Sequence, residues 1–96
     1  MRNRYIVCYD ISDAKRLAKV YKKMRGFGDP VQYSVFKCDL SPQEKVMLII
    51  ALNKLINNKE DRIMIINVGI ATNNFEDVFE FLGKTVEFEL PAAKII

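Results

Sequence analysis

Apolar residues run along this chain in three strand-like blocks and two helical stripes. Residues 4–10 (RYIVCYD) are β-branched and aromatic, without apolar–polar alternation. That is the pattern of a strand covered on both sides, hence central in its sheet. From Ala14 the period changes. Ala14, Leu17, Ala18, Tyr21 and Met24 recur every three or four residues and predict one face of a helix. Lys15, Arg16, Lys19, Lys22, Lys23 and Arg25 take the rest of its surface. Ser12 is the expected N-cap, with Asp13 in the first turn beside the positive end of the helix dipole. Gly26-Phe27-Gly28-Asp29-Pro30 ends the helix, glycine supplying left-handed backbone and proline a stop.

Residues 31–40 (VQYSVFKCDL) read as a second strand, long enough for a bend or bulge. Val31, Tyr33 and Val35 fall on one side of it, and Gln32, Ser34, Phe36, Cys38 and Leu40 on the other. Ser41-Pro42-Gln43-Glu44 then places an N-cap, a first-turn proline and a third-position glutamate, a capping box. Residues 46–52 (VMLIIAL), continued by Leu55 and Ile56, are apolar almost all round and predict a mostly buried helix that Asn57-Asn58-Lys59 breaks. Arg62–Ile70 is a third strand. Asn73–Leu82 has helical spacing, with Asn74 to cap it and Gly83 to end it. Thr85–Leu90 (TVEFEL) alternates as an edge strand does, and Pro91 closes it.

The order β-α-β-α-β, with a weaker α and β behind it, predicts an α+β fold. The arrangement is a ferredoxin-like sandwich: a mainly antiparallel sheet with two helices on one face. At 96 residues the chain is one domain, 1–96, with room for a single core. The other sheet face is apolar too, and a second copy is the simplest cover, giving a symmetric homodimer with sheets facing each other.

Composition narrows the chemistry. Half of the residues are hydrophobic and 28% charged, as in ordinary soluble proteins. No apolar run approaches the ~18–20 residues of a bilayer span, and the apolar stretch behind the basic N-terminus stops at Asp10. No membrane partner is expected. Cys8 and Cys38 lie inside strand-like runs and read as reduced core thiols of a cytoplasmic protein. Histidine is absent, which excludes histidine general-base chemistry and His-Cys zinc sites. A metal would have to be a hard cation on carboxylate oxygens, Mg2+ or Mn2+. The net charge of +3 is uneven: residues 1–29 carry eight Lys/Arg and three acids, residues 60–96 three Lys/Arg and seven acids. A basic front suits an anionic partner such as nucleic acid, and equally a solvated helix face.

Asp10, at the end of the first strand, is the outstanding carboxylate. It either caps the following N–H groups as an Asx-turn or, paired with its twin across a twofold axis, binds a hard cation. Lys15, Arg16 and Lys19 share a helix surface on which a phosphate would find both a bidentate fork and point charges. Ser34 has no histidine to activate it, so it is expected to hydrogen-bond rather than attack. P-loop, Rossmann and Cys-x-x-Cys motifs are absent.

Tyr9-Asp10-Ile11 at the end of strand one, with Gln32-Tyr33-Ser34-Val35-Phe36 about twenty residues on, resembles the CRISPR-associated protein two (Cas-two) family. The resemblance covers residues 4–70, and residues 71–96 fall in a segment that varies in that family. It implies a ferredoxin-like homodimer in which the strand-one aspartate, here Asp10, faces its twin and binds magnesium or manganese. It implies roles for Arg16 on helix one and for Ser34 and Phe36 in strand two. It also implies a C-terminal segment that packs on the partner subunit. The expected activity is metal-dependent endonucleolytic hydrolysis of single-stranded RNA or double-stranded DNA, within CRISPR spacer acquisition. The expected partners are DNA or RNA and the CRISPR integrase (Cas-one). Two other readings stay open: a non-catalytic DNA-binding bridge between integrase dimers, and a small ferredoxin-like regulator. Tyr9 and Phe36 either support the site or pack in the core, and strand aromatics mostly pack.

Overall fold

The computed structural model describes residues 1–72 and 79–84. Its elements are β1 (Asn3–Asp10), α1 (Ala14–Met24), β2 (Asp29–Gln32), β3 (Val35–Leu40), α2 (Pro42–Leu55) and β4 (Arg62–Ile70). The four strands form one antiparallel sheet in the order β2-β3-β1-β4. This is the ferredoxin-like α+β topology expected from the sequence. β1 is central: Tyr5 pairs with Cys38 on one side and Asn67 on the other, Val7 with Phe36 and Ile65.

Alternation along the strands separates two faces. Tyr5, Val7 and Tyr9 of β1 join Phe36, Cys38 and Leu40 of β3 in the core, which Val20 and Met24 of α1 and Leu48 and Leu52 of α2 complete. Phe36 is fully buried, with the Tyr21 ring edge-on at 5.4 Å. Removing such a ring costs about 3–5 kcal/mol. The outer face, away from the helices, carries Ile6, Cys8 and Asp10 of β1 beside Met64, Ile66 and Val68 of β4.

The sequence-based outline is corrected at several points. Residues 31–40 are not one strand but the end of β2, a turn and β3 of a hairpin: the chain turns at Tyr33-Ser34, and Gln32 pairs with Val35. No glycine or asparagine marks this turn, and no residue in it takes a positive φ. The expected left-handed glycines after α1 are also absent. Gly28 instead permits a close approach, since a Cβ there would stand 2.1 Å from the Lys37 carbonyl oxygen and 2.6 Å from Cys38 Sγ. A left-handed glycine lies in β4 instead: Gly69, at φ 105°, sits at the register shift between the Tyr5–Asn67 and Asn3–Ile70 pairs, and its N–H donates to Asn67 Oδ1 at 2.9 Å.

Both helices are less buried than expected. In α1, Val20 and Met24 are buried and Tyr21 packs against the core, whereas Ala14, Leu17 and Ala18 are exposed. The first half of α1 is held by polar contacts instead, described below. Its N-cap is Asp13, whose carboxylate accepts from the Arg16 N–H at 2.9 Å, and not Ser12. The capping box of α2 is present as expected, Ser41 Oγ accepting from Glu44 N and Glu44 from Ser41 N. Only Leu48 and Leu52 of that helix are buried; Val46, Met47, Ile49 and Ile50 face solvent. Cys38 is a core thiol, pushed up to about 12 by burial, but Cys8 is half-buried on the outer face. Residues 79–84 form neither helix nor strand, and the rest of the expected helix (73–78) and edge strand (85–90) lies outside the described residues.

Candidate functional site

The C-terminal end of β1 meets two other segments, the Tyr33-Ser34 turn and the Asn57–Asp61 turn that leads from α2 into β4. Asp10 pairs through its backbone with Arg62, the first residue of β4. Its side chain follows the alternation of Ile6 and Cys8, so it belongs to the outer face, and it is exposed. Among the described residues the Asp10 carboxylate accepts no hydrogen bond and joins no ion pair. The Asx-turn alternative is therefore not realised: the neighbouring Ser12 N–H donates to Asp61 Oδ1, at 3.0 Å, and not to Asp10.

Asp61 is the residue that sequence reasoning missed. Its side chain is wholly buried. It accepts from Arg16 Nε at 2.8 Å, Arg16 Nη2 at 3.1 Å, Ser12 N at 3.0 Å, Ser12 Oγ at 3.3 Å and Asn57 N at 2.8 Å. The Arg16 guanidinium, then the backbone N–H donors, hold its carboxyl well below the ordinary value of 3.8. Arg16 Nη2 also reaches Glu60 Oε1 at 3.1 Å and Ser12 Oγ at 3.2 Å. These bonds, Asp61 foremost, raise the guanidinium pKa further. The cluster clamps the β1–α1 loop to the α2–β4 turn and anchors the exposed first half of α1. An acid pair directly in front of a strand, Glu60-Asp61, was the available signal, but nothing in spacing linked it to Arg16.

The other expected site residues divide as follows. Lys15 and Lys19 lie exposed on α1, with no described bond or ion pair. Arg16 is committed to the carboxylates just described. Tyr9 is buried; its hydroxyl donates to the Tyr33 carbonyl at 2.7 Å and its backbone N–H to the Ser34 carbonyl at 3.1 Å. Burial moves its pKa far above the ordinary range, so the phenol stays neutral. Ser34 lies half-buried in the turn. Phe36 is in the core, its ring 6.2 Å from that of Tyr9, out of reach of a nucleic-acid base. Tyr9 thus ties the end of β1 to the Tyr33-Ser34 turn and Phe36 packs in the core, while Lys15 and Lys19 stand on the neighbouring helix surface.

Among the described residues there is no group of three or more carboxylate, cysteine or histidine ligands for a metal ion. The donor type at Asp10, an exposed carboxylate with free lone pairs, is nonetheless what a hard cation takes. A cation site at Asp10 thus needs oxygens beyond those of the described residues.

Fold and site together define a small ferredoxin-like protein whose central strand ends on an unengaged aspartate. The family model for CRISPR associated protein Cas2 matches residues 2–76, and the chain belongs to that family. It is similar to CRISPR-associated endoribonuclease Cas2 of Geobacter sulfurreducens, 35% identical over 96 residues and the full length of both chains. It is also similar to CRISPR-associated endoribonuclease Cas2 1 of Rhodospirillum rubrum, 40% identical over 86% of this chain and 80% of that protein. Among solved structures, Streptococcus pyogenes Cas2 aligns with a TM-score of 0.72 at 32% identity, covering 83% of this chain and 99% of that one. No helix among the described residues is long and apolar enough to cross a membrane.

Proposed function

We propose that this chain acts as a homodimeric, metal-dependent endonuclease of CRISPR adaptation, with Asp10 from each subunit at its centre. One observation carries the reading: at a strand end where the side chains of Tyr9, Ser12, Arg16 and Asp61 are tied down, the Asp10 carboxylate is exposed and, among the described residues, unengaged. The dimer would supply what the described residues of one chain do not. A second copy laid on the outer sheet face would cover Met64, Ile66 and Val68, which are 40–49% exposed, and bring in a second Asp10 on the same face. The two carboxylates would hold Mg2+ or Mn2+. When bound, that ion polarises the phosphodiester and lowers the pKa of the attacking water.

The chain's own residues do the rest. Lys15 and Lys19 attract the backbone of RNA or DNA without reading its sequence. Tyr9, bonded to the Tyr33 carbonyl, keeps the end of β1 rigid, so that Asp10 is presented at a fixed height. Arg16 keeps the loop after Asp10 in place through Asp61 and is a positioning residue here rather than a phosphate anchor. Single-stranded RNA is the first substrate to try, because the relatives are named endoribonucleases.

The test is cleavage of labelled single-stranded RNA and double-stranded DNA with magnesium, manganese or chelator, by wild type and Asp10→Asn, with binding measured on the same samples. Metal-dependent cutting by wild type, and binding without cutting by Asp10→Asn, supports the reading. Equal binding with cutting indifferent to Asp10 overturns it in favour of a non-catalytic bridge that holds DNA for the integrase. The exposed lysines of α1 favour that second reading.

A further inference from the structure

The described molecule carries a second apolar surface, on the layer opposite the outer sheet face. Leu48 and Leu52 seat α2 in the core, yet Val46, Met47 and Ile50 remain 55%, 58% and 51% exposed. Met47, Ile50 and Ala51 recur at three- and four-residue spacing, so they form one stripe along the helix. With Leu55 they line a groove of about 350 Å³ whose remaining lining is Lys23 of α1 and Lys54 of α2. An outward helix face in a globular protein is ordinarily polar. This one is not, and the core does not need it.

Among the described residues that line the groove, both charges, Lys23 and Lys54, are positive. α1 contains no acidic residue. The single acid of α2, Glu44, is engaged by Ser41 and Arg2 at the far end of the helix. No aromatic ring lines the groove to stack a base, and the apolar floor offers nothing to phosphates. It is a shallow, open groove along which a ridge of side chains can lie. Methionine at its centre adapts to varied apolar partners.

We propose that this groove docks an amphipathic helical segment of another protein, one with aliphatic anchors in the floor and Asp or Glu beside them opposite Lys23 and Lys54. The assignment of the second copy to the sheet face, made above, is what leaves this groove to a different partner.

The test uses a phage-displayed library of random 16-residue peptides. Selection is on the full chain, with subtraction on the Met47→Glu/Ile50→Glu double variant. Enriched peptides are expected to share apolar residues three and four apart flanked by Asp or Glu. A fluorescein-labelled copy of one should bind wild type with a Kd of about 10 µM or tighter, within the range of single-helix recognition. Ile50→Glu should weaken it more than tenfold with the circular-dichroism melting curve unchanged. Charge reversal, Lys23→Glu with Lys54→Glu, should weaken it comparably and serves if the apolar variants fail to fold. No enrichment, basic consensus peptides, or affinity blind to Lys23 and Lys54 overturns the proposal. So does Ile50-dependent binding to phosphatidylglycerol vesicles in preference to peptide. Loss of a dimer in Ile50→Glu by light scattering assigns the groove to a second copy and also overturns it. A wild type that is monomeric yet binds the peptide would sink the sheet-face dimer and leave this proposal standing.

Discussion

Asp10 and Asp61 stand at the same end of the sheet and have opposite surroundings. Asp61 is buried and takes five donors from Ser12, Arg16 and Asn57. Asp10, whose backbone pairs with the residue next to Asp61, is exposed and takes none among the described residues. A carboxylate whose lone pairs are filled by the protein is spent on holding the fold. One left unfilled at a braced strand end contributes nothing visible to stability and is available for a cation. The two should therefore separate cleanly by mutation.

The largest contrast is expected in activity. Asp10→Asn should lower metal-dependent cleavage by about a thousandfold, the scale of several kcal/mol of transition-state stabilisation, while Tm stays within about 2 °C of wild type. A large Tm loss in this variant would erase the distinction. Next comes Asp61→Asn, for which thermal unfolding should show Tm falling by roughly 10 °C, because Arg16 is left without its main partner. Arg16→Ala should fall comparably, and the double variant little further, since both report one cluster. If Arg16 instead grips substrate, Arg16→Ala will lose nucleic-acid affinity even in the Asp61→Asn background.

Smaller effects sharpen the same comparison. Lys15→Ala with Lys19→Ala should weaken RNA binding roughly tenfold and flatten its log-log salt dependence by about one to two units. The smallest effect is in acid. The Arg16 partnership holds Asp61 below its ordinary 3.8, Arg4 holds Asp39 below the same value, and the Ser41 N–H holds Glu44 below 4.5. A carboxyl lowered in the folded state stabilises above its unfolded value and loses that stabilisation as pH falls through its folded one. Denaturant titrations should thus find stability level above about pH 5 and declining below about pH 4, with a shallower decline in Asp61→Asn.

Much of this fold was legible in the chain. β1 and β4 announced themselves as uninterrupted apolar runs, and the capping box of α2 was written in four consecutive residues. The β2–β3 turn was not, because Tyr33-Ser34 has none of the residues that mark a turn. The exposure of α2 was missed because an all-round apolar helix predicts burial, and pattern cannot tell core from a surface awaiting a partner. At the site, Asp10 stood out by position and by its Tyr-Asp-Ile setting. Asp61 did not, since its importance lies in meeting Arg16, 45 residues earlier in the chain. Arg16 was marked as a phosphate contact on charge, and pattern gave no sign of its bonds to Asp61 and Glu60.

The interleaved strand order also bears on how the protein is made. Of the four strands β1 is made first, and both its neighbours, β3 and β4, are made later. No local hairpin can satisfy it, and its pairing with β4 waits for most of the chain. The nascent protein therefore carries an apolar strand with an open edge through much of its synthesis, and it folds at the pace of long-range closure rather than of local contacts.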